Sequence, residues 1–239
     1  MQRLGLALGI IALSAPPAAA QSLNLDLGGG ATLSSQAIGM IAVITVLSIL
    51  PGLAIMLTCF PFIVTVLSIL RQAIGLPQAP PNMLIVSLAM FLTWFVMDPV
   101  FQAAWQDGGA PLSRGEIELV EALPRVIAPF RDFMAERVDP DSFSAMQALR
   151  PGAAGPPSTA PLSILIPSFL LSEVQRAFEV GFLIYLPFLV IDLVVAAILM
   201  SMGMMMVPPA VVSLPFKLAF FVVADGWSLV SGALVRSYF

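Results

Sequence analysis

Apolar residues in this chain run in long blocks instead of alternating with polar ones, and the blocks break at glycine and proline. The first block, 38–70, is too long for one straight span and is interrupted by Pro51-Gly52 and by Pro61. That predicts a broken or kinked helix, or two short helices. Arg71 closes it, and Gly75, Pro77, Pro80 and Pro81 mark a turn over 72–81. A second apolar helix is expected over 83–105. It holds Asp98-Pro99 in its interior and carries Trp94 and Trp105, the latter near the helix end, where aromatic residues typically anchor a membrane interface. Two more apolar blocks, 162–202 and 207–239, close the chain. The first is about twice the length a spanning helix requires, so it is either tilted and kinked at Pro167 and Pro187 or partly outside the bilayer.

Between 107 and 161 the character changes. Arg114, Arg125, Arg131, Arg137 and Arg150 are interleaved with Glu116, Glu118, Glu121, Asp132, Glu136, Asp139 and Asp141, which marks a water-facing region. Ser113-Arg-Gly-Glu has the form of a capping box and predicts a helix start at Ser113. Leu119, Val120, Leu123, Ile127, Phe130 and Met134 then recur as an apolar stripe at helical spacing. The Pro, Gly and Ala of 150–161 read as a linker or disordered segment.

The stretch 187–216 organises the rest. Gly203 and the pair Pro208-Pro209 interrupt it, so it reads as helix, tight non-helical turn, helix. Met200, Met202, Met204, Met205 and Met206 therefore sit at or beside the tip of a hairpin. Soft, unbranched thioethers suit a contact that must seal and re-pack.

Composition sharpens this picture. Of 239 residues, 59% are hydrophobic and 10% charged, against about a quarter charged in soluble domains, which makes the chain an integral membrane protein. A net charge of −4 without a basic patch excludes nucleic-acid binding. With one cysteine, Cys59, and no histidine, neither an intrachain disulfide nor a Cys/His metal site is available, and no cofactor is expected. Cys59 reads as a small buried hydrophobe.

At the N-terminus, Arg3, a short apolar run over 4–13 and the small residues Ala18 to Ala20 form the pattern of a cleaved secretory signal. The organisation expected is a signal over 1–20, an exposed loop over 21–36, a broken helical hairpin over 37–106, a helical region and linker over 107–161, and a second hairpin with the Met-rich turn over 162–239. The fold class is all-α. The signal places the mature N-terminus outside. Four apolar passages then put 72–81 and the Met turn inside and 107–161 on the periplasmic side, against the preference that its five arginines would give a short loop.

Charges within the apolar blocks stand out. Glu173, Arg176 and Glu179 fall on one helix face, where Arg176 is able to pair with either carboxylate. Counted from Met206, Asp192 lies 14 residues back and Lys217 11 forward, roughly 21 and 17 Å of helix, which brings them near one level of an antiparallel hairpin. Ionisable residues in a membrane are costly enough to be functional candidates by default. These five are either a proton relay, a polar seam that fixes subunit docking, or ion pairs that set register. An enzyme is not indicated: there is no histidine, no nucleophile elbow and no phosphate loop.

The segments PSFLLSEVQRAFEVGF at 167–182, PFLVIDLVVAAILMSMGMMMVPP at 187–209 and LPFKLAFFVVADGW at 214–227 resemble the signature segments of the FliP family of flagellar type III export components. The likeness is strongest in the C-terminal third. It implies a non-enzymatic pore component in the bacterial inner membrane at the flagellar basal body, five copies assembling with FliR and FliQ among membrane lipid. Flagellar proteins would be exported through it. It also implies that Met202, Met204, Met205 and Met206 form a gasket in the lumen, that Asp192 and Lys217 are the family's intramembrane acid and lysine, and that the hairpins are raised toward the periplasm. Without the resemblance, the residues alone also admit a proton-coupled transporter relaying through Asp192, Lys217 and Glu173. Such a protein should show corresponding broken helices in two halves, and the breaks at Pro51-Gly52 and at 203–209 are dissimilar.

Overall fold

The computed structural model describes residues 40–41, 44–45, 48, 52, 55–76, 79–150, 155–204 and 206–239. The expected signal over 1–20 and loop over 21–36 lie outside these, as do Pro51 and Met205. Residues up to Ser48 form a separate unit, whose described positions are helical. All described regular elements of the unit from Ile49 to Phe239 are helical.

Helix α1, Phe60–Ile74, begins where Thr58 turns the chain, its hydroxyl donating to the Ile55 carbonyl at 2.8 Å. Pro61 lies in the first turn of α1 and starts the helix instead of breaking one, because the proton its nitrogen lacks would have had no partner there. Gly75 ends it at φ 90°, a conformation open to glycine. Helix α2, Asn82–Ala104, is tethered to α1 by a hydrogen bond from Arg71 to the Asn82 side chain. It runs on through a π-helical turn, Trp105–Gly109, into the short α3, Ala110–Ser113, well past the end expected near Trp105.

Ser113 therefore closes a helix and does not open one. Its hydroxyl donates to the Ala110 carbonyl at 2.8 Å, Gly115 takes φ 70°, and α4, Leu119–Arg137, starts beyond the extended Glu118. The apolar stripe of α4 is also only partly buried. Leu119, Val120 and Leu123 are exposed, while Ala122 and Met134 are buried. At the π-helical turn the backbone of α4 comes so close that a Cβ on Gly108 would lie 2.6 Å from the Val126 side chain, 2.9 Å from the Val126 nitrogen and 3.0 Å from the Ala122 carbonyl oxygen. Helix α5, Pro140–Ala148, is capped by Asp139, whose carboxylate accepts from the Ser142 N–H at 2.8 Å. The Ser142 backbone and side-chain hydrogen bonds hold the Asp139 carboxyl below its usual range. Residues 151–154 lie outside the described ones, and the end of the expected linker is anchored at Ala160, which is buried beside Met134, Ile164 and Phe169 and whose carbonyl accepts from Arg131.

Helix α6, Leu162–Ser201, is one element of 40 residues, roughly 60 Å long, with Pro167 and Pro187 inside it. It packs along α1, and the principal core lies between them, centred on Phe62, Ile63, Val66, Leu67 and Ala177. At Gly181 the two helices nearly touch, since a Cβ would lie 2.4 Å from the Ile69 side chain. The last apolar block does not stay one helix. Helices α7, Pro209–Val223, and α8, Gly226–Arg236, meet at 61°, with Asp225 at φ 48° and the Gly226 backbone against the Phe221 ring. Of the described helices, the continuous α2–α3 run and α6 are long and apolar enough to cross a membrane, and the bent α7–α8 pair would make a third. The first of the four passages counted from hydropathy, over 38–70, lies partly outside the described residues. α1, at 15 residues, is short of a full span.

Candidate functional site

The Met-rich turn closes α6 as a Schellman motif. Gly203, at φ 75°, supplies the left-handed residue, its N–H donates to the Met200 carbonyl at 3.0 Å, and the Met204 N–H donates to Leu199 at 2.9 Å. Pro208 then leads into α7 with Pro209 in its first turn, a position that suits a residue lacking an N–H. The tip presents its thioethers outward: Met202 is 67% exposed, Met204 41% and Met206 98%. Behind them the hairpin forms an apolar groove of about 510 Å³ lined by Val194, Ile198, Met202, Met204, Val212 and Phe216 among others.

Two polar centres hold the hairpin in place. In the first, Lys217 Nζ on α7 donates to Asp192 Oδ2 on α6 at 2.6 Å and to the Ala73 carbonyl in the last turn of α1 at 3.1 Å. Lys217 is 5% exposed. Ser213, fully buried one turn before it, donates to the other Asp192 oxygen at 2.5 Å. The ammonium thus neutralises a carboxylate and caps a helix C-terminus, where a cation is favoured.

The second centre is Glu173, completely buried in α6. It accepts from Tyr238, from Arg176 at 3.3 Å and from Arg137 at 3.4 Å. Arg137 also donates to the Ser237 carbonyl at 2.7 Å and places its guanidinium 3.9 Å from the centre of the Tyr238 ring. The water-facing region, the long helix and the last residues are thereby joined at one carboxylate. Arg176 goes to Glu173 and not to Glu179, which is exposed and accepts from Gln175 at 3.1 Å.

Of the predicted residues, Asp192 and Lys217 are brought together, Glu173 and Arg176 form a separate centre, Glu179 belongs to neither, and Gly203, Pro208 and Pro209 shape the turn. Sequence reasoning missed Ser213, Arg137 and Tyr238. Ser213 had a local signal, being four residues before Lys217 on the same helix face. Arg137 and Tyr238 had none, because their partner is distant in the chain. Among the described residues, no group of three or more Asp, Glu, Cys or His side chains is placed to hold a metal.

Residues 43–234 match the model of the FliP family. The chain is 48% identical over 237 residues to the flagellar biosynthetic protein FliP of Caulobacter vibrioides, covering 97% of this chain and 88% of that one. It is 46% identical over 222 residues to the protein of that name from Rhizobium meliloti, covering 92% and 90%. With the one from Aquifex aeolicus it shares 43% over 235 residues, covering 97% and 98%.

Proposed function

The chain belongs to the FliP family, and on that premise we propose that it is a pore-forming structural subunit of the flagellar type III protein export gate, needed for flagellum assembly and working without catalysis. The observation that carries the reading is the hairpin tip: Met202, Met204 and Met206 project from a turn shaped by Gly203 and the two prolines, on an apolar hairpin with a part-buried ion pair at its base. A ring of such tips, contributed by several copies, closes a narrow lumen with adaptable thioethers and yields when an unfolded polypeptide passes. Met205 is assigned to the same gasket from its place in the sequence. The assembly is a homo-oligomer of five copies completed by FliR and FliQ, in the bacterial inner membrane and raised toward the periplasm. Exported flagellar proteins are its cargo.

The mass of the intact detergent-purified complex tests this. A large hetero-oligomer is expected. A monomer or small homo-oligomer would overturn the reading and return the chain to the transporter class.

A further inference from the structure

We propose that α7 and α8 form a two-state limb: Tyr238 latches it in the bent form, and release of the latch lets it straighten at Asp225 into one continuous helix. The bend is not forced by the chain. No proline follows Pro215, and apolar residues continue on both sides of the break. The interruption is brief: the Asp225 N–H reaches back to the Val222 carbonyl at 3.1 Å, and the Leu229 N–H already bonds the Asp225 carbonyl at 3.1 Å.

Asp225 itself is strained. It sits at φ 48°, in the left-handed region that disfavours residues with a Cβ, and its carboxylate makes no cap bond to α8 in return. Such a conformation persists where the surroundings impose it. Two sets of contacts do so. Beside the elbow, Gly226 lies against the Phe221 ring, which meets Trp227 edge to face at 5.4 Å. At the far end of α8, Tyr238 is seated among three other helices. It donates to Glu173 of α6, meets Phe62 of α1 edge to face at 5.7 Å and lies under the Arg137 guanidinium of α4, while Arg137 also holds the Ser237 carbonyl.

Bend and latch require one another. Tyr238 is 13 residues beyond Asp225, about 20 Å of helix. With α7 fixed at Lys217 by Asp192 and Ala73, straightening a 61° bend sweeps that point through about 20 Å, far out of reach of Glu173. A straight limb therefore loses the latch, and a latched limb stays bent. Because Arg137 belongs to the water-facing α4, the latch answers to that region. A displacement of α4 removes both Arg137 contacts and shifts the limb toward the straight form, which runs unbroken over 209–236 and is long enough to span a bilayer.

The test is an electron-spin distance measurement on the full detergent-purified chain. It carries Cys59→Ala and labels on Leu171→Cys in α6 and Arg236→Cys in α8, both exposed positions, and is diluted into unlabelled chain. The parent should show one dominant distance. Tyr238→Phe should raise about tenfold or more the population of a distance longer by about 10 Å or more. Asp225→Ala, which disfavours the left-handed residue and leaves the latch untouched, should raise the same population. Asp225→Gly, at ease in that region and poor in a helix, should suppress it, also when combined with Tyr238→Phe. An unchanged distribution in Tyr238→Phe and Asp225→Ala overturns the proposal. So does a longer distance in Tyr238→Phe that survives Asp225→Gly, since that marks an end that frays without straightening. Should Tyr238→Phe fail to fold, Asp225→Ala alone decides.

Discussion

Lys217 reaches Asp192 across the Met-tipped hairpin at 2.6 Å, and both ends of the pair have further partners, Ala73 for the ammonium and Ser213 for the carboxylate. Because the Asp192 side chain is 29% exposed, removing one member of this part-buried pair strands the other charge at a cost below the about 3–5 kcal/mol of a fully buried pair, whereas removing both is nearly neutral. Asp192→Ala and Lys217→Ala should each sharply lower complex yield and motility. The double variant should recover part of the loss, the remainder reflecting the Ala73 carbonyl left without its cation. Yield and swimming of the three variants check this. A double variant as poor as the sum of the singles would sink the pairing and revive a proton relay.

The exposed thioethers of Met202, Met204 and Met206 are assigned to closing a lumen. Their combined replacement by alanine shortens every side chain at the tip while leaving Gly203 and the prolines to shape the turn. The complex should assemble in normal yield and conduct small ions when reconstituted in bilayers, with slowed growth of cells expressing it. A triple variant as tight as the parent would rule the gasket out.

Glu173 carries a counter-charge for two arginines and accepts from Tyr238. Glu173→Gln keeps the shape but leaves Arg137 and Arg176 uncompensated, a loss of about 3 kcal/mol or more. Tyr238→Phe removes only one hydrogen bond to a charged group and should cost about 1.5–3 kcal/mol. Thermal unfolding in detergent should rank parent, Tyr238→Phe and Glu173→Gln in falling order of stability. An unchanged midpoint for Glu173→Gln would show that the cluster does not hold the fold together.

Gly181 is where α6 presses on α1, its hydrogen standing where a Cβ would meet Ile69 at 2.4 Å. Gly181→Leu should therefore destabilise by about 1–3 kcal/mol through overpacking. Adding Ile69→Ala should return part of that loss by vacating the space. Protease resistance of the purified chain measures both, and a single variant as resistant as the parent would show that the helices separate freely at this point.

What the sequence determined by itself was local. Proline lacks an N–H and glycine lacks a Cβ, so Gly75, Gly203 and Pro208-Pro209 end or begin helices wherever they stand, and the turn with its methionines was legible. The apolar runs declared membrane helices, and similar hairpin offsets of 14 and 11 residues brought Asp192 toward Lys217. Where a local rule had two solutions, reading failed: Ser113 looks like a helix cap, but its hydroxyl turns back to Ala110 and closes the preceding helix. The break at Asp225 likewise depends on how Gly226 seats against the Phe221 ring. Tertiary structure alone joined Arg137 and Tyr238 to Glu173, across 36 and 65 positions, and Lys217 to Ala73, across 144. No periodicity couples residues that far apart. Buried charge must be compensated, but which of several arginines does it is settled only when helices pack and a few side chains come within reach.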